Sequence, residues 1–288
     1  MTTPASQAKA PRDPDRSARE EPAEPPAAVR FARAAAESLL SPFAEVGMLF
    51  TMLGEAIFWG IRPPYRFRQF VAAMEFIGVG SIFIVSLTGF FVGAVLGLQL
   101  VDGFRTFGAE TQTGAVVGIG LARELGPVFT ALMVSSRAGS AMTTELGSMR
   151  VTSQIDAMTT MAVNPVQYLV VPRIFAGVAM VPFLTVLFNV IAMTGSYLVA
   201  VNLLGLDGGI YLERFKWLVD WEDIRQGLIK AAVFGGTVSL IACRQGFFAS
   251  GGASGVGQAT NRCVVHCAVA ILALDYVMTG LILGQGLF

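Results

Sequence analysis

Four ionisable side chains interrupt a membrane-length apolar run that opens at Leu121: Arg123, Glu124, Arg137 and Glu145. An ionised group costs roughly 2.5–3.5 kcal/mol at the centre of a spanning helix, so such groups persist where they face a partner or a wet cavity. Two chemistries fit them. One is an ion pair that fixes helix packing; the other is a polar wall that meets the charged head of an amphiphilic substrate. Arg123 and Glu124 lie deeper in the run, which favours the wall. Arg137 and Glu145 are eight apart and near one helical face, which favours packing. The segment Ser148–Val163 follows, with Val151, Ile155, Met158 and Ala162 on one helical stripe and Arg150, Thr152, Gln154 and Asp156 off it. Asn164-Pro165 ends it. Too polar to span, it reads as a membrane-surface helix or as a coupling helix seated in a groove of a cytosolic partner.

The other reactive residues carry less. Lys9, Lys216 and Lys230 are the lysines, and none stands in GxxxxGK[ST]. The chain therefore has no phosphate-binding loop of that type and is expected neither to hydrolyse ATP nor to act as an enzyme with a cofactor of its own. The glycines from Gly251 to Gly257 follow a membrane helix rather than a strand and read as a flexible turn. His266 lies between Cys263 and Cys267, but Cys-x-x-His-Cys on one helix cannot aim three ligands at one ion, so no metal site is expected. With Cys243 these make three cysteines in or beside apolar runs, which argues against a disulfide framework. Asp275 sits mid-span and must find a partner or water, as a structural group first and a pathway group second.

The elements that must position these residues follow from composition. Of 288 residues, 54% are hydrophobic and 14% charged, and the net charge is zero; mean hydropathy is +0.63. That is membrane-protein composition, and nothing in it favours nucleic acid. Residues 1–28 are rich in Pro, Ala, Arg and Glu without an aromatic, and read as a disordered cytosolic tail with no signal-peptide core. Residues 29–75 read as interfacial and juxtamembrane helices. Phe43, Val46, Phe50, Leu53 and Ile57 recur at helical spacing, and the cost of burying Glu45 and Glu55 favours a helix lying in the interface over a span from Phe43 to Ile61.

The remainder, 76–288, predicts an all-α integral membrane protein with five spans at about 76–100, 113–145, 174–206, 224–246 and 263–285, and a coupling helix at about 148–163. Gly89, Gly93 and Gly97 form a ridge for close helix approach, within the chain or between subunits. Residues 207–223, with Tyr211, Trp217 and Trp221, read as a loop bearing an interfacial aromatic belt, and Lys230 is expected to snorkel. Arg62, Arg66, Arg68, Arg150, Arg173, Arg244 and Arg262 fall on the N-terminal side of the bilayer, against Arg105, Arg214, Lys216 and Arg225 opposite. Seven against four puts the N-terminus and the coupling helix in the cytosol.

Longer runs carry a resemblance: VGAVLGLQL (92–100), RELGPVFTAL (123–132), RAGSAMTTELGSMRVTSQIDAM (137–158), NPVQYLVVPR (164–173), LIKAAVFGGTVSLI (228–241) and LDYVMTGLILG (274–284). From about Phe67 to Gly286 the chain resembles MlaE-type (YrbE-like) permeases of ABC systems that work with MCE-domain proteins. The resemblance implies a homodimer, each half with an interfacial helix and five spans, in the bacterial inner membrane. It implies a cytosolic ABC ATPase dimer that uses the ATP, docked through Arg150, Val151, Ile155, Asp156 and Met158. It implies a periplasmic MCE-protein ring and often a small STAS-domain subunit. The implied cargo is membrane phospholipid, with sterol or another lipid as the alternative. The implied lipid cavity lies at the dimer interface and is lined here by Leu96, Gln99, Phe104, Phe107, Arg123 and Glu124. From the residues alone, two other classes stay open. One is a stand-alone ion-coupled secondary transporter using Glu124 and Asp275, against which stand the odd span count and the lack of an obvious inverted repeat. The other is a membrane scaffold that only anchors partners.

Overall fold

The computed structural model describes residues 47–63, 66–282 and 284, so the expected tail at 1–28 and the segment 29–46 lie outside the described residues. The chain divides into Met1–Met48 and Leu49–Phe288, and the contacts given below lie within the second unit. The described residues form helices and turns: α1 (Gly47–Gly60), α2 (Phe67–Arg105), α3 (Glu110–Val151), α4 (Gln154–Thr160), α5 (Val166–Leu203), α6 (Gly208–Leu218), α7 (Trp221–Phe247) and α8 (Gly252–Ile282). Of these, α2, α3, α5, α7 and α8 are long and apolar enough to cross a membrane. The protein is an all-α integral membrane protein.

The span helices differ from the expected spans mainly by running past them. α2 starts at Phe67 rather than about 76, α3 ends at Val151 rather than about 145, α5 starts at Val166 rather than about 174, and α8 starts at Gly252 rather than about 263. Hydropathy marks what sits in hydrocarbon, whereas a helix continues for as long as its backbone groups are best satisfied internally. The glycine-rich stretch is corrected for the same reason. Only Gly251 and Gly252 take positive φ there, and from Gly252 onward the chain is already α8. The expected loop at 207–223 is also corrected, because it contains α6. The Asp207 carboxylate caps that helix by accepting from the Ile210 amide at 2.9 Å. Tyr211 is buried, with its hydroxyl 2.9 Å from Ser196 Oγ. Burial raises the Tyr211 pKa, and the Ser196 hydrogen bond offsets part of that rise. Trp217 and Trp221 are exposed, at 70% and 72%.

The core forms where α2 lies along α5. Val85, Val101, Phe188 and Ala192 are fully buried there, and Phe129 of α3 stacks on Phe188 with centroids 6.2 Å apart. A Cβ added at Gly93 would collide with the Ala192 carbonyl, so the two backbones touch. The glycine ridge is thus used for packing inside the chain. The opposite face of α2 carries Val79, Phe83, Leu87, Phe91 and Val95 outward at four-residue spacing. In a membrane such a face meets lipid.

α3 holds wide π-turns at Leu121–Leu125 and Ser135–Gly139, and α5 opens with one at Val166–Val170. α5 also closes with one at Leu198–Leu203, and proline accounts for two of these four. Pro127 and Pro172 each follow a wide turn closely; proline offers no N–H and crowds the carbonyl four residues back, and the extra residue in the turn absorbs that conflict.

Candidate functional site

The first wide turn of α3 contains Arg123 and Glu124. The two side chains do not act together. Arg123 Nη2 lies 2.5 Å from Asp223 Oδ1, and its Nε donates to the same oxygen at 2.6 Å. Glu124 Oε2 accepts from Lys230 Nζ at 2.6 Å. Lys230 also donates to Asp275 Oδ1 at 2.9 Å and to Thr279 Oγ1 at 2.7 Å. All three ammonium protons therefore have acceptors, as a buried cation requires. Lys230 is 2% exposed, so the expectation that it snorkels is corrected: it is the centre of a buried cluster contributed by α3, α7 and α8. Asp275 has the partner its mid-span position demanded.

One close contact makes this cluster possible. A Cβ added at Gly227 would collide with the Ala122 carbonyl. α7 therefore lies directly against the wide turn of α3. Asp223 is one turn before Gly227 and Lys230 about one turn after it, so both reach the neighbouring pair Arg123 and Glu124. Asp223 also closes a capping box with Asp220 at the start of α7. The cluster is not sealed. The Glu124 side chain is 38% exposed, whereas Asp275 is 21% and Asp223 3%.

The remaining residues expected at a lipid cavity stand on α2 and the turn after it. Leu96 is half-buried against the core, Gln99 is exposed, Phe104 is half-buried and Phe107 is 84% exposed. Two grooves on this protomer, of about 370 and 580 Å³, are lined by other residues. Arg137 and Glu145 do not pair with each other. Arg137 donates to the Phe76 carbonyl and lies over the Phe76 ring at 5.0 Å, while Glu145 pairs with Arg173 at 2.8 Å. His266 is 2.9 Å from Gln245, and the sulfurs of Cys263 and Cys267 are 3.9 Å apart. Among the described residues no group of three His, Cys, Asp or Glu is placed to hold a metal.

The expected coupling helix at 148–163 is shorter and turned differently. α4 covers Gln154–Thr160 between two left-handed residues, Ser153 and Ala162, both with φ of 57°. Arg150 and Val151 belong to the end of α3. The Arg150–Asp156 ion pair, 2.5 Å long and exposed, closes the corner between the helices. Ile155 is 1% exposed and packs with Met52, Leu146, Leu169 and Val170, and Met158 rests against the same cluster. The apolar stripe expected to enter a partner is therefore turned into the protein itself. Val151, at 40%, and Met161, at 67%, are the large apolar side chains this corner exposes.

The sequence is similar to those of known proteins. The family described as Permease MlaE matches residues 70–281. A probable ABC transporter permease protein of Rickettsia bellii is 41% identical over 221 residues, covering 77% of this chain and 85% of the relative. The intermembrane phospholipid transport system permease protein MlaE of Haemophilus influenzae is 38% identical over 259 residues, covering 90% and 99%. The chloroplastic protein TRIGALACTOSYLDIACYLGLYCEROL 1 of Arabidopsis thaliana is 33% identical over 226 residues, covering 78% and 65%.

Proposed function

The chain belongs to the MlaE permease family, and from that premise we propose that it moves phospholipid between the inner membrane and a periplasmic ring of MCE-domain protein. It works as the transmembrane subunit of an ABC transporter, as a homodimer driven by a separate cytosolic ATPase pair, in some assemblies with a STAS-domain subunit. The observation that carries this reading is the Glu124–Lys230–Asp275 cluster, a set of paired ionisable side chains on three long apolar helices that stays open on the Glu124 side. A lipid path needs apolar walls for the chains and a few fixed polar groups for the head. The open Glu124 carboxylate can accept from a hydroxyl or ammonium group of a lipid head, and Leu96, Phe104 and Phe107 supply apolar surface towards a second copy. The sequence lacks a phosphate-binding loop of the GxxxxGK[ST] type, so the energy comes from the partner. ATP binding there biases two arrangements of the dimer, transmitted through Val151, Met161 and the Arg150–Asp156 corner.

Co-expression with the cognate ATPase and reconstitution into liposomes test this. The expected result is ATP hydrolysis stimulated by phospholipid, with phospholipid recovered from the purified complex by mass spectrometry. A chain that recovers no ATPase, or that carries a proton-driven flux alone, overturns it.

A further inference from the structure

The groove of about 580 Å³ lies where the end of α1 meets the starts of α2 and α5, and its lining includes Trp59, Arg62, Arg66, Phe70, Gln167 and Phe175. Its chemistry is graded. Arg62 and Arg66 stand at the end nearest the helix termini, and no carboxylate is among the lining residues. Neither arginine has an ion pair among the described residues; each is held instead against a ring, Arg62 over Phe58 at 4.1 Å and Arg66 over Tyr168 at 4.4 Å. Gln167 Nε2 donates to the Arg62 carbonyl at 3.0 Å and so ties the connection between α1 and α2 to α5. Arg66 Nε is buried and has no hydrogen-bond partner. A guanidinium carries five N–H donors, and phosphate oxygens are acceptors that suit them.

The rest of the groove is apolar. It runs along α5 from Gln167 to Phe175 and Val178, which are 49% and 39% exposed. Eleven residues of helix span about 16 Å, roughly half of a 30 Å hydrocarbon core. The floor is therefore long enough for an acyl chain of one leaflet, with its phosphate at the arginines.

We propose that this groove binds an anionic glycerophospholipid of the leaflet that contains α1. The unpaired guanidiniums and the absence of lining carboxylates select negative charge, and the apolar floor selects a lipid over free phosphate. The site lies apart from the Glu124–Lys230–Asp275 cluster and does not depend on the transport reading.

The test uses Trp59, which lines the groove. In the full chain carrying Trp217→Phe and Trp221→Phe, Trp59 is the sole tryptophan of the original three. This protein is placed in phosphatidylcholine bilayers containing increasing fractions of phosphatidylglycerol or phosphatidylcholine brominated near the glycerol end of the chain. The expected result is that brominated phosphatidylglycerol quenches Trp59 at a several-fold lower mole fraction. Arg62→Gln with Arg66→Gln merges the two curves, Arg62→Lys with Arg66→Lys keeps them apart, and millimolar inorganic phosphate leaves them unchanged. Coincident curves with both arginines in place overturn the proposal. So does loss of the preference in free phosphate, or a Trp59 that neither lipid quenches because a protein segment fills the groove.

Discussion

Replacing Lys230 by Met removes the cation on which two carboxylates depend. The change deletes contacts of 2.6 Å to Glu124, 2.9 Å to Asp275 and 2.7 Å to Thr279. Removing one partner of a buried ion pair costs about 3–5 kcal/mol, mostly because it strands the other charge. Here the cost falls at the low end. The Glu124 side chain is 38% exposed and can be rehydrated, whereas Asp275 at 21% keeps most of its penalty. We expect about 3 kcal/mol. At roughly 2–4 °C per kcal/mol, the thermal midpoint drops by about 6–12 °C. The assay is thermal unfolding of the purified protein in detergent, followed by size-exclusion recovery. The reasoning also fixes a rescue. Lys230→Met combined with Glu124→Gln and Asp275→Asn leaves no stranded charge, and neutral replacement of a buried ionic set is often tolerated, so most of the loss returns. A Lys230→Met midpoint within about 2 °C of the parent, or a triple variant no more stable than the single one, refutes the account of the cluster.

Three further outcomes follow from the same geometry. Where one member of an ion pair is buried and the other exposed, deleting the exposed one costs more. Arg123→Ala strands Asp223, 3% exposed, and loses about 3 kcal/mol, whereas Asp223→Asn leaves a hydrated Arg123; Glu145→Ala likewise costs more than Arg173→Ala, since Arg173 is 14% exposed and Glu145 53%. Equal midpoints within either pair of variants count against this asymmetry. Gly93→Leu drives a side chain into the Ala192 backbone and abolishes recovery of folded protein, whereas Gly103→Ala meets nothing within 4 Å and leaves recovery unchanged; monodisperse Gly93→Leu protein argues against the α2–α5 contact. Ile155→Asp buries a charge and lowers yield without its partner present, whereas Met161→Asp keeps yield and lowers ATPase recovery in pull-down; full ATPase recovery with Met161→Asp places the docking surface elsewhere.

The parts of this molecule that were legible in the sequence are those set by one segment at a time. Hydropathy locates five spans because each must satisfy its own backbone and present an apolar surface, and of the partner or water that Asp275 requires, the structure supplies a partner in Lys230. The ends of the spans are less legible, because a helix continues past its apolar stretch, where hydropathy no longer reports it. The turned face of α4 was illegible for a different reason. An apolar stripe says that a face is covered but not what covers it, and Ile155 is covered by α1, α3 and α5 of its own chain.

The cluster is hidden because it depends on contacts among three helices, α3, α7 and α8. Arg123 and Glu124 are adjacent in sequence, and one site for both was the economical reading. The wide turn before Pro127 and the missing side chain at Gly227 bring α7 against that turn, and the two charges are then divided between Asp223 and Lys230. A lysine near the start of a span otherwise has an inexpensive alternative in snorkelling. What removes that alternative is the chemistry opposite it. Glu124 and Asp275 are two intramembrane carboxylates, and leaving both uncompensated would cost more than burying one ammonium among three acceptors. Counting carboxylates against cations across the spans, rather than scoring each position alone, is the signal that identifies Lys230 as their partner.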